Sequence, residues 1–314
     1  MAAARKPAKK KPVAKKKPAA KPKKPAAKKK APAKTKPAAK TKPAKSATAS
    51  KKKPKTKQLA PKSRWVTASS GDELTIAANC ERAQDWAGAV AAYRRDIAAG
   101  QSSSMFGSRM MMMQAAYFGG DDDTVLAVAD ELDGKGMPGM LPGGLSNIFR
   151  ARVFREREDW TAMADAARAA IEKTAENDGQ INGGPVGVRD CEPHLLLGLA
   201  LLKSYSVEAR EPLEEALRID PDDRETMNVL AEARRFDGDL KAAIALREKL
   251  AGLSGDGDDY YNLACFLAVD GEHDRALDAL EKSVALVPEN RAIALEDKDF
   301  AMLASNDRFQ SLTA

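Results

Sequence analysis

Residues 257–290 read GDDYYNLACFLAVDGEHDRALDALEKSVALVPEN, and this stretch decides the fold. Before its central glycine, Leu263, Phe266 and Leu267 recur at three- and four-residue spacing, which lays them along one face of a helix. After it, Ala276, Leu277 and Leu280 do the same on a second helix. Gly271 supplies the left-handed backbone that ends the first helix, because a residue without Cβ adopts positive φ without strain. Pro288 ends the second, having no N–H to donate. The stretch predicts a helical hairpin with an apolar side that it cannot hide alone.

Working outward, the pattern returns every 33 or so residues. Gly238 and Gly271 lie 33 apart, as do Ala243 and Ala276, and Pro221 and Pro288 are 67 apart, two such periods. The unit before residue 257 opens at Arg224, runs to about Asp256 and carries Leu230, Ala231, Gly238 and Ala243, with Gly255 where the next unit has proline. Leu197, Gly198, Ala209, Leu213, Ala216 and Pro221 form an earlier unit, shorter by about one residue.

The spacing of Ala264, Gly271, Ala276, Leu280 and Pro288 resembles that of a tetratricopeptide repeat (TPR): small at position 8, Gly near 15, Ala at 20, a large apolar residue at 24, Pro at 32. The small residues let the two helices approach closely. The resemblance implies an all-α fold, a tetratricopeptide-like helical-hairpin solenoid, over residues 65–314, strongest over about 190–290. Upstream, Asp85-Trp86 and Asp159-Trp160 each look like a turn and the start of a second helix, 74 residues apart. Between them Met110–Phe118 and Thr124–Leu132 suggest a degenerate unit, so about six helix pairs are expected. Met110–Met113 reads as loose core or as an adaptable contact surface, and Asp121–Asp123 as a solvated turn capping the next helix. Gly/Pro-rich loops are expected at 134–144 and 178–190. Residues 291–314 read as a cap in which Leu295, Phe300, Leu303, Phe309 and Leu312 cover the last unit's open face, and their pattern is similar to the endings of many bacterial TPR proteins.

The remainder of the chain is of another kind. Residues 1–64 hold 24 lysines, 2 arginines and no acid, a charge of +26. The whole chain has 52 basic and 45 acidic residues, so 65–314 is left with 26 and 45, a net −19. Ten of the 17 prolines fall in the first 64 residues, in a loose Lys-Pro-Ala-Ala-Lys repeat at 17–21, 24–28 and 36–40. Almost nothing there can be buried to offset backbone entropy, so a long disordered basic arm is expected, reaching roughly 200 Å at ~3.1 Å per residue. Its composition resembles linker-histone tails and bacterial histone-like proteins, which implies nucleic-acid contact. Lysines such as Lys9, Lys10, Lys11, Lys15, Lys16, Lys17, Lys28, Lys29, Lys30, Lys51, Lys52 and Lys53 neutralise phosphates and release counterions without any folded geometry. With no aromatic residue to stack on bases, such binding is indifferent to sequence. Another polyanion, an acidic protein, or the −19 body of the same or a second copy are the alternative partners, the last leading to self-association.

No Gly-rich phosphate loop after a strand, nucleophile elbow or HExxH pattern appears, which argues against an enzyme. Cys80, Cys191 and Cys265 stand alone in apolar helical patterns, and His194 and His273 are 79 residues apart, so neither a disulfide framework, a metal site nor a cofactor is expected. No apolar run reaches membrane-span length and no secretory signal is seen, which predicts a cytoplasmic protein, on the nucleoid in a bacterium or nuclear in a eukaryote.

The resemblance to the repeat family implies a groove lined by the first helix of each pair that holds a protein or peptide partner. On matched positions it would include Asn228, Glu232, Arg235 and Asn262. Asn262 can equally bond the adjacent helix. The lysines that accompany such asparagines in the family's carboxylate clamp are missing, which argues against capture of an acidic C-terminus. The expected function is therefore a non-enzymatic adaptor or scaffold.

Overall fold

The computed structural model describes residues 73–100, 105–134, 144–175 and 188–314. The basic arm and most of both expected Gly/Pro-rich loops lie outside the described residues. Among the described residues there is no strand. The elements are α1 (Glu73–Arg82), α2 (Trp86–Ala99), α3 (Met105–Gly119), α4 (Asp122–Gly134), α5 (Leu145–Glu156), α6 (Trp160–Ala175), α7 (Glu192–Lys203), a 3-10 turn (Val207–Ala209) leading into α8 (Arg210–Ile219), α9 (Arg224–Phe236), α10 (Leu240–Ser254), α11 (Gly257–Val269), α12 (His273–Leu286), α13 (Asn290–Glu296), a 3-10 stretch (Lys298–Leu303) and α14 (Asp307–Thr313). Each odd helix from α1 to α11 packs on the even helix after it, and each even helix packs on the next odd one. The result is an all-α, tetratricopeptide-like array of six hairpins, with a cap of α13, the 3-10 stretch and α14.

One turn is used six times. The residue at φ between +57° and +83° is Gln84, Gly120, Glu158, Tyr205, Gly238 and Gly271 in successive hairpins. The next residue (Asp85, Asp121, Asp159, Ser206, Asp239, Glu272) donates its backbone N–H to the carbonyl five residues back, at 2.8–2.9 Å in every case. This is the Schellman closure, which satisfies a carbonyl that the helix end would leave bare. In five of the six that same residue then caps the following helix through its side chain: Asp85 accepts from Gly88 N, Asp121 from Thr124 N, Asp159 from Ala162 N, Ser206 from Glu208 N and Asp239 from Ala242 N. Such a cap contributes about 1 kcal/mol.

The turn sets the register of what is buried. Nine residues after the left-handed position (eight in the shortened fourth hairpin) stand Tyr93, Ala129, Ala167, Leu213, Arg247 and Leu280, all at most 1% exposed. Close approach within a hairpin is visible at Gly198, where a Cβ would lie 2.3 Å from Leu213 Cγ. Met110, Met112 and Met113 are buried and Met111 packs against the same core, so the methionine run is interior. In the cap Phe300, Leu303 and Phe309 are buried and Leu312 packs beside them. Leu295 departs from expectation at 61% exposed; the seven-residue helix α13 turns it outward and buries Ala294 instead. No helix of the described residues is long and apolar enough to cross a membrane.

Candidate protein-binding wall

Helices α3, α5, α7 and α9 each touch the next in that series, whereas no two even-numbered helices from α2 to α12 pack comparably. Helices α3, α5, α7 and α9 thus form the closer-set wall of the array. Side chains on this side reach across whole hairpins. Arg155 of α5 meets Glu225 of α9 at 2.7 Å, and Arg235 of α9 holds Asp299 of the cap through two bonds of 2.6 and 2.7 Å.

On α9, Asn228, Glu232 and Arg235 follow one another at i, i+4 and i+7 and so make a single stripe. Asn228 is exposed, while Glu232 and Arg235 are half-buried. Behind the stripe lies Arg247, from α10, 1% exposed and standing where the repeat frame calls for a large apolar residue. Its guanidinium donates to Asn228 Oδ1 and, at 2.5 Å, to Glu232 Oε1. The carbon of its head group lies 4.6 Å from the Phe266 ring centroid, and that of Arg235 lies 5.0 Å from the same ring. Burial pulls the pKa of Arg247 down, against the opposing pull of Glu232. Its Nε is buried without an acceptor.

The equivalent stripe on α11, one frame of 33 residues on, begins with Tyr261 and Cys265 in place of Asn228 and Glu232. There Tyr261 donates to Asp297 Oδ2 at 3.0 Å and Cys265 approaches the same oxygen at 3.7 Å. Burial raises both of their pKa values, which keeps the phenol and the thiol protonated. Asn262 stands one position further on, about 100° round the helix. It is half-buried, and its side chain bonds no neighbour among the described residues. Asn228 and Asn262 therefore do not occupy equivalent places.

From the third hairpin to the sixth the wall is laced with ion pairs. Arg152 grips Glu192 at 2.6 and 2.7 Å, Arg189 holds Asp223 and, at 2.8 Å, Glu225, and Arg224 reaches Asp259 at 2.7 Å. Glu225 is held below the usual carboxylate range: burial alone would raise it, but Arg155 and Arg189 together outweigh burial. The stripe of Asn228, Glu232 and Arg235 is thus brought together, each member already engaged by another residue, while Asn262 stands apart. Sequence reasoning missed Arg247, although a charge in an apolar slot of the frame was a readable signal. The twelve lysines of the arm lie outside the described residues.

No family profile and no curated protein matches the chain. Among solved structures, the chain is similar to YrrB, a TPR protein with an unusual peptide-binding site, at 16% identity over 64% of this chain and 95% of that one, with a TM-score of 0.49. It is also similar to the C-terminal part of a TPR repeat-containing protein from Cytophaga hutchinsonii, at 14% identity over 70% and 97% of the two chains and a TM-score of 0.36. A third is the TPR2AB-domain–pHSP90 complex of yeast Sti1, at 14% identity over 77% and 97% and a TM-score of 0.32.

Proposed function

We propose that this chain is a non-enzymatic adaptor: the odd-helix wall binds a protein or peptide partner, and the lysine-rich residues 1–64 bind nucleic acid without regard to sequence. The observation that carries the first half is the α9 stripe, where Asn228, Glu232 and Arg235 put hydrogen-bonding groups on the closer-set side of the array at one per helical turn. Asn262, with no intramolecular partner among the described residues, adds an amide from α11. The second half rests on the charge division, +26 in residues 1–64 against −19 in the rest. That division also supports a second reading, in which the arm binds an acidic protein or the body of another copy.

The wall is tested by panning displayed random 12-residue peptides on the full-length chain at about 0.5 M salt, where a Debye length of a few ångströms silences the arm. Peptides that bind micromolar or better, and tenfold weaker to Asn228→Ala or Arg235→Ala, support the reading; no enrichment over background contradicts it. The arm is tested by titrating duplex DNA against salt. Engagement of about eight lysines gives a log–log slope near −7, roughly four decades of affinity between 50 and 200 mM. Replacing the twelve named lysines by glutamine should flatten that slope, and an unchanged slope would contradict the assignment. Salt-soluble oligomers of the full chain that the same replacement abolishes would favour the second reading.

A further inference from the structure

We propose that Arg247 is a positioning residue that sets the hydrogen-bonding sense of the wall, so that Asn228 meets a partner as a donor, Glu232 meets it as an acceptor, and the pair reads the main chain of an extended peptide. The inference rests on the wall being a peptide-binding surface and adds to it which atoms do the reading.

Packing does not call for a cation at this place. The five counterparts of Arg247 in the other hairpins are Tyr93, Ala129, Ala167, Leu213 and Leu280, all buried. Arginine has five N–H donors and no acceptor, so a neighbouring carboxamide must turn its oxygen inward. Asn228 does so, giving Oδ1 to Arg247. Its Nδ2, with two N–H groups, bonds nothing among the described residues, and the residue is exposed. Glu232 gives Oε1 to the same guanidinium, its side chain remains 43% exposed, and Oε2 is not taken up by that bond. Phe266, 1% exposed, fixes the guanidinium from α11, and Arg235 on the same ring is tied to Asp299. The arrangement is therefore braced from three helices and the cap.

Residues four apart on a helix stand ~5–6 Å from one another. An extended chain advances ~3.3 Å per residue. A donor at Asn228 and an acceptor at Glu232 thus match a carbonyl and an N–H within two residues of each other on one extended strand. A free amide with no cation behind it could flip and serve either group. Arg247 removes that freedom, and so gives the bound strand a direction.

The test inverts the sense of each group without changing its shape. A peptide enriched by panning on the full-length chain is synthesised, and its affinity is measured by calorimetry at about 0.5 M salt. Asn228→Asp keeps an oxygen on Arg247 but turns an acceptor outward. Glu232→Gln keeps an oxygen on Arg247 but turns a donor outward. Each should weaken the peptide at least tenfold with the melting temperature of Asn228→Asp unchanged or raised. An ester in place of the peptide amide that faces Glu232 should weaken binding to the wild type tenfold and to Glu232→Gln not at all. Arg247→Met should fill the slot, keep the fold and lose at least tenfold in affinity. If Asn228→Asp and Glu232→Gln both bind within twofold of wild type, while Asn228→Ala and Arg235→Ala do not, the wall reading stands and this inference falls. If no peptide is enriched at all, both fall.

Discussion

Hairpins 5 and 6 are built on one 33-residue frame and share its glycine turn, at Gly238 and Gly271, and its buried alanines, Ala231 with Ala264 and Ala243 with Ala276. Among the interior positions where they differ, one changes from charged to apolar: the slot nine residues after the turn holds Arg247 in one and Leu280 in the other. The facing stripe changes with it, from Asn228 and Glu232 to Tyr261 and Cys265. The two apolar clusters of the body also meet at hairpin 5, with Val229, Leu230 and Ala233 on one side and Ala231, Ala243 and Ile244 on the other. The repeat frame therefore specifies burial and spacing at this slot but not polarity, provided that the polar occupant brings its own partners. Where that is met, a helical array can place a charge directly behind a surface stripe.

Truncation should separate the two slots most sharply. Leu280→Ala should lower the unfolding free energy by about 3 kcal/mol, a large-to-small change at a site with no exposure, whereas Arg247→Met should lie within about 1 kcal/mol of wild type or above it. Urea unfolding of the full chain measures both, and equal losses would erase the distinction. Glu232→Ala comes next: it leaves a buried guanidinium with only an amide to hold it, at about 2 kcal/mol, tempered by the partial exposure of Glu232. A loss below about 0.5 kcal/mol would mean that Arg247 finds water instead.

The wall between hairpins 3 and 5 gives a smaller, pH-dependent effect. Glu225 titrates lower in the folded chain than in the unfolded one, so its contribution is complete above the unfolded value of about 4.3 and is lost as pH falls through the folded value. The urea midpoint should drop below pH 4, and Glu225→Gln should shrink that drop. An identical pH profile would place Arg155 and Arg189 elsewhere in solution. Smallest is the turn itself. Glu158 adopts φ +57° where hairpins 5 and 6 use glycine, so Glu158→Gly should relieve strain and raise stability by no more than about 1 kcal/mol, part of it returned as unfolded-state entropy. A loss of more than 1 kcal/mol would show that the left-handed conformation there is not strained.

The C-terminal hairpins were legible because their turns use glycine and their lengths agree, so that Gly238, Gly271, Ala243 and Ala276 align at one period. The N-terminal ones were legible through the apolar runs at 110–118 and 124–132 and through the Asp-Trp pairs at 85–86 and 159–160, whose aspartates proved to be N-caps with the helix start after them. Their left-handed residues are Gln84 and Glu158, and no side chain announces positive φ as an absent one does. The successive turn residues there are 36, 38 and 47 apart, because connections of different length separate the hairpins. In the candidate wall, the residues of the α9 stripe came from the resemblance to the repeat family, which matches those positions to a groove. That Arg247 holds it did not, because the partner comes from another helix and occupies a place that the pattern assigns to leucine. Leu295 failed for a related reason: a seven-residue helix has too few turns for periodicity to say which side faces in.

One turn repeated six times builds the body, and amide hydrogen exchange read residue by residue on the full chain tests this most directly. The N–H groups of Asp85, Asp121, Asp159, Ser206, Asp239 and Glu272 each reach the carbonyl five residues back, so all six should exchange at least tenfold more slowly than an unstructured amide. Protection at Asp239 and Glu272 with free exchange at Asp85 and Asp159 would mean that only the glycine-marked hairpins share the turn, and would contradict a six-hairpin body.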